Sequence, residues 1–278
     1  VQAAAMQDRF RRNGRSAAIA AAAMLALGLA VAPAAAFDAQ HIERLRVTRS
    51  CERCDLSGAN LEKADLANAK LSAANLTGAK LKGANLAGAT LVGAIMPKAD
   101  LTEADLEGAA LQGANLDDAV LVRANLPRAV LSGAGLARAD LRFAVLREAR
   151  LDDANLTDAK LGQAYLTKAD FNGARLTGAD LGSATARDVK FYGAILVRAQ
   201  FVQTELWGAD FRKADLTDAD LRDANMRSVD LIGADRTRAK LRGANLKGAC
   251  ICNTIMPEGR VDVSGCKLCT SDKDGDSR

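Results

Sequence analysis

One rule governs the apolar positions over residues 51–252: a leucine stands at every fifth residue, and an alanine stands two residues before it. Leu56, Leu61, Leu66 and Leu71 open the series, Met96 substitutes once, and the leucines over 101–166 carry it on. Asp or Asn fills about half of the positions between the two, so the rule is A-(D/N)-L-x-x, repeated about forty times in succession with other residues at its second place in the remaining units. An α-helix turns ~100° per residue, and five residues advance a side chain by about 140° beyond a full turn, so the leucines would wind around it and form no stripe. A flat strand fails as well, because alternation with period two sends leucines spaced by five to opposite faces.

A chain that turns a corner every five residues satisfies both constraints. Within each short side, the alanine and the leucine two residues on both point inward, and the residue between them points out. Four sides close a coil of about twenty residues, and coils stacked at the ~4.8 Å strand spacing bury what one coil alone leaves exposed. About ten coils make a rod about 48 Å long. The strict alanine has a steric cause: a larger residue beside each leucine overpacks so narrow a bore, at about 1–3 kcal/mol per site. Leucine burial, at about 1.5–3 kcal/mol per side chain, offsets the ordering of the chain.

These A-(D/N)-L-x-x units resemble the pentapeptide-repeat family, and the resemblance extends over 51–252. It implies an all-β fold, a right-handed quadrilateral (square) β-helix solenoid of about ten coils. It leaves function open, because one fold serves many unrelated roles.

Some units keep the frame with unusual fillings, at Ala186, Val189, Thr204, Val229 and Arg236. Arg236 stands where leucine belongs, and an unpaired buried cation costs several kcal/mol, so a bulge or an outward-turned side chain near Asp235 is expected there. Phe171, Phe191, Phe201 and Phe211 take the leucine position in the C-terminal half. Tyr192, Val197, Val202 and Trp207 each follow an inward residue and should face solvent, forming an apolar girdle on successive sides of one coil; they are the candidate interaction surface.

Residues 1–36 have the order of a signal peptide: Arg9, Arg11, Arg12 and Arg15, an apolar run over 17–32, then Pro33 and Ala34-Ala35-Ala36 before Phe37. The run is mostly alanine and shorter than the ~20 residues of a spanning helix. Cleavage after Ala36 is expected, giving a periplasmic or secreted protein with no stable membrane anchor. An open stack of coils exposes strand edges at both ends, which calls for caps. Residues 37–50 are expected to form an N-terminal cap helix with Asp38 as N-cap, 253–270 a C-terminal cap of turn and strand, and 271–278 a disordered tail.

Charge narrows the partner. Removing the four targeting arginines and Asp8 from 38 Lys plus Arg and 34 Asp plus Glu leaves 34 basic against 33 acidic side chains. That balance gives no long-range steering, and no nucleic-acid partner is expected. Stacked carboxylates, Asp210 above Asp230 and Asp215 above Asp235, have Arg212, Lys213 and Arg222 close by and read as a solvated face, not a calcium site.

Six cysteines in an exported chain point to disulfides. Cys51 with Cys54 and Cys252 with Cys266 are the favoured pairs, with Cys250 and Cys269 remaining as a third; the connectivity stays open at this point. The two C-x-x-C pairs lie at opposite ends of the rod and cannot share one zinc ion, and Asp55 in place of histidine after Cys54 excludes haem attachment. His41 is the only histidine and lies in the expected cap. No Ser-His-Asp or Cys-His set can be assembled, and the glycines recur with the repeat in place of a phosphate loop. No catalytic, cofactor-binding or metal residue is assigned. The expected function is a non-catalytic, exported structural or protein-interaction module whose partner is an unknown protein or a second copy. Its alternatives are a topoisomerase-protecting nucleic-acid mimic and a redox or metal-handling protein acting through the terminal cysteines.

Overall fold

A computed structural model describes residues 38–263 together with Cys266 and Cys269. The expected signal peptide, the 271–278 tail and part of the expected C-terminal cap lie outside the described residues. The described chain is a β-helix solenoid. Parallel bridges join each fifth residue to the one twenty positions on: Ser50↔Lys70, Asp55↔Asn75, Asn60↔Lys80 and Asp65↔Asn85 start four ladders, which run on to Asp230↔Cys250 and Asp235↔Ile255.

The backbone explains why each bridge is a single residue long. Leu56 N–H donates to Asn75 O at 2.7 Å in the next coil, while Asn75 N–H donates back to Cys54 O at 2.8 Å, and the chain then turns. Ala59 N–H closes that turn on Leu56 O at 3.1 Å, with Gly58 at φ 66°. A left-handed third residue is the mark of a type II turn and favours glycine. The stack nevertheless holds Lys63, Asn68, Arg123 and Asp153 in the same region, at φ 54° to 57°. The pairing of each coil with its neighbours over-determines a conformation that an isolated residue of this kind disfavours.

The two inward positions are filled as their sizes require. Leu101, Leu106, Leu111 and Leu116 are buried, as are Ala104, Ala109, Ala114 and Ala119 between them. Higher up, Phe171, Phe191 and Phe211 stack along one ladder with ring centroids 5.2 and 5.1 Å apart, and Phe201 meets Phe191 and Phe211 edge-on at 5.9 and 6.0 Å. Ala186 sits in the Phe171 coil and returns part of the volume that the ring takes up. Thr204 replaces an alanine in the core, and its hydroxyl donates to Leu181 O at 2.8 Å, so its polar atom is satisfied where it is buried.

Both ends carry added structure. Helix α1 (Ala39–Thr48) is capped by Asp38, whose side chain accepts from Gln40 N–H at 2.8 Å, and it ends at Arg49 in the left-handed region. Its buried Leu45 joins the core, and His41 Nδ1 accepts from Asp55 N–H at 3.1 Å, fastening the helix to the first coil. At the other end β1 (Thr254–Ile255) pairs antiparallel with β2 (Val261–Asp262), with Thr254 opposite Asp262 and Ile255 opposite Val261.

Arg236 corrects the expectation of a bulge or an outward turn. Its residue frame is unbroken: Arg236 N–H donates to Ile255 O at 2.9 Å, and Asp235 bridges Ile255 in register. The side chain enters the core and is 1% exposed. Nη2 reaches Met256 Sδ at 2.8 Å, and Nε finds no hydrogen-bond acceptor among the described residues. Burial pushes the guanidinium below its ordinary value, against the pull of Asp262 and Glu258. The cost of a bulge explains the outcome, since turning the residue out would break the hydrogen bonds that hold the last bridged level.

Candidate interaction surface

Because the inward positions repeat every five residues, so do the outward ones: the residue before each leucine and the two after it. The ladders stack each of these on its counterpart twenty residues on, so the exterior consists of side-chain columns about 4.8 Å per step. Many columns are closed by ion pairs within a unit or between coils. Arg142 grips Asp140, Arg212 grips Asp210 and Arg222 grips Asp220, each from two residues along the same unit, at 2.6, 2.6 and 2.7 Å. Arg138 meets Asp118 and Arg238 meets Asp218 one coil below, at 2.7 and 2.6 Å. Asp220 is buried, and the hydrogen bond from Arg222 holds its carboxyl below the ordinary carboxylate range.

Tyr192, Val197, Val202 and Trp207 fall on four different ladders. They encircle one coil and do not form a single patch. Tyr192 (39% exposed) and Trp207 (45%) stand in solvent, and the two valines are half-buried. Arg212 and Lys213 cover the Tyr192 ring at 5.7 and 5.3 Å from its centroid, whereas no cation lies over Trp207 among the described residues. The stacked pairs Asp210/Asp230 and Asp215/Asp235 lie in separate ladders. Arg212 reaches both members of the first, with Asp230 at 3.7 Å. Among the described residues no three His, Cys, Asp or Glu side chains converge as metal ligands, and no helix is long and apolar enough to cross a membrane.

The cysteines form three disulfides: Cys51–Cys54, Cys252–Cys266 and Cys250–Cys269, with Cα separations of 5.3, 4.6 and 5.3 Å. Cys51 and Cys54 occupy inward positions of the first coil and are buried. Cys250 and Cys252 flank Ile251 on the last coil and hold Cys266 and Cys269 against it.

A family model for pentapeptide repeats matches the chain in eight copies, spanning residues 50–256. The chain belongs to the pentapeptide-repeat family. Similar solved structures include HetL, a pentapeptide-repeat protein involved in heterocyst differentiation regulation in the cyanobacterium Nostoc sp. strain PCC 7120. HetL is 33% identical over 82% of this chain and 100% of its own, with a TM-score of 0.33. AT2G44920, a pentapeptide-repeat protein from the Arabidopsis thaliana thylakoid lumen, is 32% identical over 35% of this chain and 68% of its own, with a TM-score of 0.33. QnrB1, a plasmid-mediated fluoroquinolone resistance protein, is 17% identical over 72% of this chain and 92% of its own, with a TM-score of 0.38. Family membership rests on the repeat model, and these superpositions carry nothing further. No curated protein matches the chain.

Proposed function

We propose that this pentapeptide-repeat protein is an exported, non-catalytic interaction module: a right-handed rod of square cross-section and about ten coils, capped at both ends, whose outer columns bind a protein partner. The filled bore carries the reading. Apolar side chains take the inward positions almost throughout, so the molecule offers its exterior to other molecules. The redox alternative asks for reactive thiols, and burial of Cys51 and Cys54 in the first coil speaks against it. Export is supported by the order of residues 1–36 and by disulfide pairing of all six cysteines.

The test uses the full chain with a C-terminal tag and photo-crosslinkers placed one at a time on the four ladders. The expected product begins at Phe37, lies outside the cytoplasm, resists thiol labelling until reduced, and crosslinks to one protein from one ladder. Retention in the cytoplasm with residues 1–36 intact would overturn export. Labelling of Cys51 and Cys54 without reductant would restore the redox reading, and the absence of any crosslink from all four ladders would overturn the binding role.

A further inference from the structure

One column carries a run of cations that mostly stand without the aspartate clamp. On the ladder that begins at Asp65, the position just past the buried residue reads Arg147, Thr167, Arg187, Trp207, Arg227 and Lys247 in successive coils. The stacking is direct: Lys168 N–H donates to Arg187 O at 2.9 Å, Asp188 N–H to Trp207 O at 2.9 Å, and Gly208 N–H to Arg227 O at 3.0 Å. Arg142, Arg212 and Arg222 occupy the same position of their units, and each is fastened by an aspartate two residues earlier. Here that earlier position holds Val145, Thr185, Asn225 and Asn245, so the clamp is missing. Arg187 alone finds a carboxylate, Glu205 at 3.7 Å, which also accepts from Asn225 Nδ2 at 2.9 Å. Among the described residues, no carboxylate oxygen lies within 4.0 Å of Arg147, Arg227 or Lys247.

Two aromatic rings accompany these cations. Trp207 lies in the column, and Tyr165, 48% exposed, stands beside it on the same ladder. Neither ring is covered by a cation among the described residues, in contrast to Phe143 under Arg123 and Tyr192 under Arg212 and Lys213. Cations that lack the aspartate clamp and rings that no cation covers, in one column, match an anionic chain with apolar groups between its charges.

The spacing selects the conformation of that chain. Arg147, Arg187 and Arg227 recur every second coil, about 9.6 Å apart. A polyproline II helix has three residues per turn and rises ~3.1 Å per residue, so one side of it repeats about every 9.3 Å. An extended strand repeats its side chains about every 6.7 Å and would fall out of step. A strand of a nucleic-acid duplex carries a charge about every 3.4 Å along the axis, too dense for this column, which is bordered by Glu148 and Asp188. We propose that the column from Arg147 to Lys247 binds an acidic peptide in the polyproline II conformation, with Asp or Glu at every third position and prolines against Tyr165 and Trp207. This assignment rests on the reading of the protein as an interaction module, and names the partner's chemistry.

Trp207 is the only tryptophan, so its fluorescence in the full-length protein reports directly on the column. Titration with a peptide of five Glu-Pro-Pro repeats is expected to give a saturable change that weakens with added salt. A peptide with glutamate at every second position, a Lys-Pro-Pro peptide and oligothymidylate should bind at least about tenfold more weakly. The double variant Arg147→Ser, Arg227→Ser should lose at least about tenfold in affinity with unchanged circular dichroism. No saturable change with Glu-Pro-Pro, equal binding of the alternate-position peptide, tighter binding of oligothymidylate, or full affinity in the double variant would each overturn the proposal. So would a fluorescence change that follows protein concentration alone together with an increase in mass, which assigns the face to a second copy. If Glu-Pro-Pro fails while the photo-crosslinked partner is still captured, the column assignment falls and the interaction module stands; if both fail, both fall.

Discussion

The stretch over 71–166 and the stretch over 171–236 share one backbone and differ in what fills it. In the first, every inward pair is leucine and alanine except for Met96. In the second, leucine and alanine still hold most of those places but are interrupted by four phenylalanines, Val189, Val229, Met226, Thr204, Ala186 at a leucine position and finally Arg236. The bridges advance by twenty through both without a slip. The register is therefore held by the turns and the coil-to-coil hydrogen bonds, and the identity of the filling sets how strongly each level is held.

If that division is right, core changes act on stability and leave the register alone. The largest loss is expected for Phe191→Ala, which strips the stacked contacts with Phe171 and Phe211 and the edge contact with Phe201. It should cost about 3–5 kcal/mol in urea unfolding and exceed Leu111→Ala, a single-level change in the regular stretch. An equal or smaller loss would mean that the aromatic stretch is no better packed than the leucine one.

The next effect has the opposite sign. Arg236→Met keeps the length of the side chain and removes a buried cation whose Nε has no acceptor among the described residues. Stability should rise by about 1–4 kcal/mol. A loss instead would show that the pull of Asp262 and Glu258 outweighs the cost of desolvation.

The smallest effect lies on the exterior. Arg222 holds the Asp220 carboxyl below its ordinary value, so the folded protein takes up that proton less readily than the unfolded chain. The contribution is complete above the ordinary carboxylate range and is lost as pH falls through that range and on through the lower folded value. It amounts to about 1 kcal/mol. In acid titrations of stability, Asp220→Asn should flatten this part of the curve, and an unchanged curve would mean the clamp contributes nothing.

The leucine and alanine positions could be read from the period of five, because both constraints on them, burial and small size, act within one unit. Arg236 could not. A single unit shows only that a cation stands at a leucine position. The cost of turning it outward resides in bonds to Ile255, and the relief comes from Met256, Glu258 and Asp262 in the cap, twenty or more residues away. The left-handed turn position was signalled by Gly58, Gly78, Gly83 and Gly88, although Lys63 and Asn68 in the same series obscure it. The basic column is hidden for a different reason. Reading in fives sets Trp207 beside Tyr192, Val197 and Val202 around one coil, whereas its neighbours in space, Arg187 and Arg227, are twenty residues to either side.

The twenty-residue coil is open to a direct check by crosslinking. Asp100 and Val120 face each other across a bridge, and Asp100 and Ala110 belong to different ladders. With Asp100→Cys and Val120→Cys, adjacent coils place the two α-carbons at about 4.8 Å, within disulfide reach. Mild oxidation of that double variant should close an intramolecular bond, and the Asp100→Cys, Ala110→Cys pair should stay open. A bond in the second variant and none in the first would contradict the coil on which every column described above depends.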